Sequence, residues 1–546
     1  MQKTCILLQL TFLLLFSISW AASSADQREN KFVRCLIQNF SNSTDISQVI
    51  YVPNNPSYAL VLNSKVQNLR FQTPETPHPQ VIITPNHESQ IQVAIRCAKK
   101  HSLQMRIRSG GHDFDGSSYV SQAPFFLLDM TNFRTISVDV KAKTAWLGVG
   151  ATLGEVYYTV HEASNSLYFP GGSGPTVGVG GLISGGGYGP FARKYGLAAD
   201  NVIDARVIDA KGRILNRKSM GKDFFWALRG GNAASFGVVL AYKVKLVDIR
   251  PNFTAFNLTR TFEQNAIKLL YKWQYVSPKM PEDLSLTARF FVINDQTGNK
   301  TVIATFMGFF QGDVDSLLSL MKERFPELGV TKEDCTEIRW VDNYAYQYHV
   351  ATDLTPELLL SRVNPNLEGN PYFKGKSDLV QKPIPESGIK EIWDFFYRVN
   401  PGESTMEWSP FGGRMDEISE SSIPFPHRAG TSFLSISISS WGRNENSLTQ
   451  RGMNWSRQLS KIMGKYLPNN PRPIYVNYRD LDLGTNNPTG YTSVEQARVW
   501  GAPYFKGNFD RLAKVKTMVD PENFFNFEQS IPLYRRGNVK EGKTNV

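Results

Sequence analysis

The stretch Arg108–Tyr119, RSGGHDFDGSSY, decides how the rest of the chain is read. It sets one histidine, His112, directly behind Gly110 and Gly111, with Ser109, Asp113 and Ser118 around it. Glycine tolerates positive φ and close backbone approach, so successive N–H groups in such a run can converge on an anion. A surface turn carrying a stray imidazole is the simpler alternative, and one run does not separate the two. Two more runs shift the balance: FPGGSGPTVGVGGLISGGGYG (Phe169–Gly189) and LRGGNAASFGVV (Leu228–Val239). A lone G-x-G-x-x-G match is weak. Three glycine-rich runs in one region, each behind a strand-like segment, point to a dinucleotide cofactor. No second His or Cys stands near His112 to complete a zinc site, so no metal is expected. What remains is a nucleophilic imidazole at the edge of a phosphate nest.

Working outward, LQMRIRSGG reads as a strand entering the glycine turn, and PQVIITPNHESQIQVAIRCAKKH as strand, turn and helix. Ile91, Ala94, Ile95 and Ala98 fall at i, i+3, i+4 and i+7, the apolar stripe of that helix. FFLLDM, KTAWLGVG and VIDARVIDAKGRIL add strands, the last with a turn at Lys211-Gly212. This texture predicts an α+β or α/β domain over residues 26–250. From 251 to 474 the glycines thin out. FTAFNLTR, LSLTARFFVI and KTVIATFMGFF read as long strands, NAIKLLYKWQYV and DVDSLLSLMKERF as helices. They predict a second domain, an antiparallel sheet covered by helices. The glycine, asparagine and aromatic pattern returns at Tyr475, so residues 475–535 are expected to rejoin the first domain. A chain of 546 residues also exceeds what one ordinary core accommodates.

Residues 1–25 have the form of a secretory signal peptide: Lys3, an apolar run from Ile6 to Trp20, then small residues from Ala21 to Ala25. No later run sustains the ~18 apolar residues of a membrane span, so no membrane anchor is expected. Cleavage would remove Cys5 and leave Cys35, Cys97 and Cys335. Three thiols allow three pairings. Cys35–Cys97 is the expected one, because Cys335 stands far along the chain among acidic neighbours. Six sequons, at Asn39, Asn42, Asn252, Asn257, Asn299 and Asn454, fit a glycosylated chain in the secretory pathway, destined for the apoplast or the vacuole. The net charge of +11 is scattered rather than clustered, and a secretory address argues against nucleic acid as a partner. A monomer is expected.

SGGHD, PTVGVGG, SGGGYG, KYGLAADN, SMGKDFFWALRGG, IPFPHRAG, NYRDLDLG and DPENFFNFEQSIP together resemble the plant berberine bridge enzyme-like family, which includes the cannabinoid synthases. The likeness runs in order through the whole mature chain. It implies the p-cresol methylhydroxylase-type FAD fold, completed by the C-terminal segment, and a covalent bond from His112 to the flavin 8α carbon. By the same resemblance, FAD contacts are expected at Ser109, Gly110, Gly111, Asp113, Ser118, Pro175, Thr176, Val177, Gly178, Gly180, Gly181, Gly186, Gly189, Gly237, Val238, Tyr475 and Asn477. Val177 fills the place that governs oxygen access in relatives.

Three positions leave the family pattern. Gly174 stands where most members carry the cysteine of a second flavin bond, so a single link is expected. Leu182 replaces a histidine that in relatives can donate to the flavin ring. Ile436 replaces a Glu or Gln and offers no titratable group. Tyr478 is kept, and in cannabinoid synthases the matching tyrosine abstracts a proton. A free tyrosine has a pKa near ~10, so it needs cationic or hydrogen-bonding surroundings, for which Tyr195 and Arg289 are the candidates. The expected function is oxidation of an aromatic or prenylated small molecule with O2, releasing H2O2, with cyclisation as a following step. The alternatives are a redox-neutral Diels–Alder cyclase, with Arg289 or Arg443 polarising a carbonyl, a carbohydrate oxidase, and a non-catalytic flavoprotein.

Overall fold

The computed structural model describes residues 31–40, 48–294, 298–348, 355–363, 371–399, 402–488 and 490–535. The expected signal peptide and the sequon at Asn42 lie outside them. Strands β1 (Ile50–Tyr51), β2 (Val81–Ile83), β3 (Gln104–Arg108) and β4 (Phe125–Asp129) pair in the order β1-β2-β4-β3, with β4 parallel to both neighbours. Every residue of β4 is buried, as suits a parallel strand covered on both faces. Next come β5 (Ile136–Asp139), β6 (Thr144–Gly148), β7 (Leu167–Tyr168), β8 (Val202–Ile208), β9 (Ile214–Leu215), β10 (Val238–Lys245) and β11 (Val247–Asp248). Five of them form an antiparallel sheet, β5-β6-β10-β8-β9, while β7 and β11 form a short ribbon.

The third sheet is larger. It contains β12 (Asn252–Thr261), β13 (Leu284–Asn294), β14 (Lys300–Phe310), β15 (Cys335–Arg339), β16 (Tyr372–Val380), β17 (Glu403–Pro410) and β18 (Phe433–Trp441). All pairings are antiparallel, in the order β15-β12-β14-β13-β17-β18-β16. Side chains alternate across a strand, and here the two faces meet different partners. Phe256, Phe290, Phe306, Met406, Trp408 and Phe433 share a core with Trp273, Phe396 and Trp455 of the covering helices. The opposite face contributes Ala255, Met307, Phe309, Leu379 and Leu434 to the core of the first two sheets. That face therefore looks toward the glycine runs.

The architecture is α+β, with the helix-covered antiparallel sheet that the sequence predicts. The C-terminal segment packs on the first two sheets: Lys516 Nζ donates to Ser235 O (2.7 Å), Ile531 N to Ser235 Oγ (3.1 Å), and Arg106 pairs with Glu528 (2.8 Å). Cys35 is bonded to Cys97, and the Cys335 thiol is free. Asn39, Asn252, Asn299 and Asn454 are exposed. Asn257 sits half-buried in the middle of β12 with its Oδ1 out of solvent, a poor placement for a glycan. Among the described residues no helix is long and apolar enough to cross a membrane.

Candidate active site

β3 delivers Ser109–His112 into the space between the sheets. Gly111 has φ of +74°, and a Cβ there would stand 1.8 Å from Lys65 O, so no side chain fits. A Cβ on Gly110 would lie 2.3 Å from Gly178 N, because the first and second glycine runs touch backbone to backbone. Val149 O holds both runs, accepting from Ser109 Oγ (2.5 Å) and Gly180 N (3.2 Å). Thr176 Oγ1 lies 3.0 Å from His112 Nε2. Thr176 thus engages the imidazole through Nε2. Although His112 is only half-buried, loss of solvation lowers its pKa to about 4, partly offset by the Thr176 backbone. At neutral pH the imidazole is uncharged and keeps a lone pair for bond formation.

Asp113 shapes the turn that follows. Its Oδ1 accepts from the N–H groups of Asp115 (3.2 Å) and Ser117 (3.0 Å), and its Oδ2 from Arg479 Nε (2.9 Å). Among the described residues, the hydroxyls of Ser117 and Ser118 and the Nη1 of Arg479 are buried without a hydrogen-bond partner. Each such orphan costs about 1–3 kcal/mol unless something pairs with it. A cluster of them beside a bare backbone cradle is the environment an oxygen-rich, anionic ligand relieves. FAD fits these residues.

The C-terminal segment closes on the second run. Tyr475 Oη accepts from Gly187 N (2.8 Å) and Tyr188 N (3.1 Å), and Asn477 Nδ2 donates to Leu182 O and to Tyr475 Oη (both 2.9 Å). Pro175 O accepts from Gly154 N (2.8 Å), Val177 O from Leu153 N (2.9 Å), Gly186 O from Ala199 N (2.8 Å) and Gly189 O from Ala192 N (3.1 Å). Gly181 is exposed with no atom near its Cβ position. The third run joins through Asn232, whose N–H donates to Ser184 O (2.9 Å) and whose Oδ1 accepts from Arg479 Nη2 (3.3 Å). Gly237 and Val238 follow, Val238 opposite Ile208. All three glycine runs and the C-terminal segment thus converge.

Residues 79–217 match the FAD binding domain family, and residues 474–532 the berberine and berberine like family. Over 518 residues the chain is 46% identical to Berberine bridge enzyme-like 8 of Arabidopsis thaliana, spanning 94% of this chain and 97% of that one. The chain belongs to the berberine bridge enzyme-like family. It is an FAD-dependent oxidoreductase. Tetrahydroberberine oxidase of Argemone mexicana is a relative at 46% identity over 536 residues, covering 97% of this chain and 96% of its own. Among solved structures of this fold, the grass pollen allergen Phl p 4, with glucose dehydrogenase activity, superposes with a TM-score of 0.86 at 38% identity, over 92% of this chain and 100% of that one.

Within this family cleft Tyr478 is half-buried at the end of a short helical turn, Val476–Tyr478. Its ring stacks on Phe114 (5.1 Å, 27°) and meets Tyr475 edge-on (5.3 Å). The other two expected catalytic residues, Tyr195 and Arg289, are each engaged by partners of their own. The Tyr195 hydroxyl donates to Asp248 O (2.9 Å) and lies 3.2 Å from Gln311 Oε1, and burial, only partly offset by Lys194, raises its pKa. Those bonds hold its hydroxyl at the seam between β11 and the end of β14. Arg289 is paired across strands with Glu407 (Nη2–Oε2 2.6 Å, Nε–Oε2 3.1 Å), which neutralises it. Arg443 is 80% exposed beside Glu445. Neither guanidinium is placed as a bare cation for a carbonyl.

Four residues of the cleft escaped the sequence reading. Phe114 and Tyr188 were inside quoted motifs but carried no signal of their role. Arg479, next to Tyr478, gains its meaning only from Asp113, 366 positions away. Glu407 is one acid in an ordinary half-buried strand and becomes visible only through the sheet register.

Proposed function

We propose that the chain is a secreted FAD-linked oxidase of plant specialised metabolism that oxidises an aromatic or prenylated small molecule with O2 and releases H2O2. The observation that carries this reading is the convergence of three glycine runs and the C-terminal segment on His112. Bound FAD would supply the two-electron acceptor, one that O2 can reoxidise.

The remaining roles belong to the chain. Ser109–Gly111, Pro175–Gly178, Gly180 and Gly181, Gly186, Gly189, Gly237 and Val238 would line the cofactor with main chain. Ser118 and Arg479 would answer its oxygens with groups that otherwise stay orphaned. His112 would provide the single covalent link through Nδ1, since Nε2 is engaged by Thr176. Gly174 has no sulfur to add a second. Tyr478, held by Phe114 and Tyr475, would take the substrate proton. Residues 26–250 and 475–535 would serve the cofactor and residues 251–474 the substrate. A relative named tetrahydroberberine oxidase supports an aromatic substrate.

Anaerobic mixing with an aromatic substrate that the protein converts is expected to bleach the flavin absorbance, and readmitted air to restore it with one H2O2 per product. Product formed with the absorbance unchanged would contradict oxidation. Bleaching by glucose alone would favour a sugar substrate instead.

A further inference from the structure

The sheet face turned toward the glycine runs carries a carboxylate at an unexpected place. Ile436 of β18 is directly opposite Glu407 of β17, which is directly opposite Arg289 of β13. Directly opposed residues of antiparallel strands share a face. This row lies on the same face as Leu434 and Met307, the one joined to the cofactor-side core. The carboxylate missing at Ile436 is therefore present one strand over, about 5 Å away along the row. Gly375, opposite Ile438 on the same face, abuts the Phe114 ring, which in turn stacks on Tyr478. Tyr188 of the second glycine run donates to Pro410 O (2.7 Å), three residues beyond Glu407, and Glu407 is among the charges that raise the Tyr188 pKa, after burial itself.

We propose that Glu407, held by Arg289, is the specificity-determining group that accepts a hydrogen bond from a substrate hydroxyl. A carboxylate offers about four acceptor sites. Arg289 Nε and Nη2 take two on Oε2, and Ser409 Oγ takes one on Oε1 (3.1 Å). The remaining site belongs to a side chain still 29% exposed. Two neighbouring strands fix the pair, so a ligand hydroxyl meets an oriented acceptor at small entropic cost. The surrounding row is apolar at Ile436, Ile438 and Leu434, which suits a single hydroxyl on an otherwise apolar body. Phenols, alcohols and sugars share the hydroxyl.

The inference rests on the proposed substrate cleft but is read by binding rather than by turnover. p-Cresol, cinnamyl alcohol and glucose, each beside its O-methyl derivative, are titrated into the flavin-loaded protein, following the flavin absorbance. At least one hydroxylated probe is expected to bind about 10–100-fold more tightly than its methyl derivative, and Glu407→Gln to remove that preference. Where turnover is measurable, the loss should fall on KM rather than kcat. The double variant Glu407→Gln/Arg289→Met removes both charges together and should lose the same preference, which covers misfolding of the single variant. Retention of the preference in both variants overturns the proposal, and so does the absence of any preference in the unaltered protein. Preference without bleaching by any probe would instead count against the proposed oxidation alone.

Discussion

Tyr478→Phe is expected to lower the rate of substrate oxidation by about 10²–10⁴-fold, with flavin content and melting temperature unchanged. The size follows from the contribution of one positioned proton acceptor to a transition state. The selectivity follows from the packing. Phenylalanine keeps the stack on Phe114 and the edge contact with Tyr475, and only the hydroxyl is lost. Tyr195→Phe serves as the comparison, since its hydroxyl bonds lie at Asp248 and Gln311. It should change the rate by less than about threefold. Single-turnover flavin reduction reads both. A Tyr478→Phe variant within threefold of the parent would remove Tyr478 as the proton acceptor.

Lys374→Met is expected to cost about 3–5 kcal/mol of unfolding free energy. The Lys374 side chain is 2% exposed, and its Nζ bridges Asp115 Oδ2 (2.7 Å) to Asp480 Oδ1 (2.8 Å). The ladder continues on both sides. Arg70 binds Asp115 (2.6 Å), Lys376 joins Asp480 (2.5 Å) to Asp482 (2.8 Å), and Arg457 caps Asp482 (2.8 Å). It thereby connects the loop after β3, the edge strand β16 and the C-terminal segment that carries Tyr478. Methionine matches the lysine stem but removes the cation shared by Asp115 and Asp480, so two buried carboxylates that keep only Arg70 and Lys376 face each other without the charge that bridged them, and that loss is the source of the penalty.

The same ladder sets a pH dependence. Burial alone would raise the Asp115 and Asp482 pKa values, yet their cationic partners hold both below the ordinary carboxylate range. Burial alone would lower Lys374, yet Asp115 and Asp480 raise it above the usual lysine value. Depressed carboxylates contribute stability above the unfolded value near ~4 and lose it as pH falls through their folded values. A raised lysine contributes below ~10 and loses it as pH climbs further. The gap between parent and Lys374→Met should be widest between about pH 5 and 10 and shrink below about pH 4. A gap that does not shrink between about pH 7 and about pH 3, or a melting temperature at about pH 7 within about 2 °C of the parent, would contradict the ladder's role.

Much of this fold was legible in the sequence because its elements announce themselves locally. The Ile91–Ala98 stripe became the Glu88–His101 helix, and FTAFNLTR, LSLTARFFVI and KTVIATFMGFF became β12, β13 and β14. Glycine runs were legible for a similar reason, since a backbone that must pass against another backbone forces the residue type, as Gly110 against Gly178 does. Side-chain partnerships were not. Tyr195 and Arg289 were grouped with Tyr478 by residue type, but the first is bound at the β11 seam and the second is matched across strands with an acid whose register no local pattern encodes. Long-range pairs such as Asp113–Arg479 and Asp115–Lys374 belong to the same category: they depend on how three separate segments meet, and each looks like a solvated charge in the chain.

The central claim is that the cradle of main chain around His112 holds the flavin by one bond, at Nδ1. Acid precipitation of the purified yellow protein tests it most directly. The account predicts that the unaltered chain carries its flavin into the pellet, while His112→Ala leaves all of it in the supernatant. Flavin released from the unaltered chain, or retained in the pellet by His112→Ala, would contradict it.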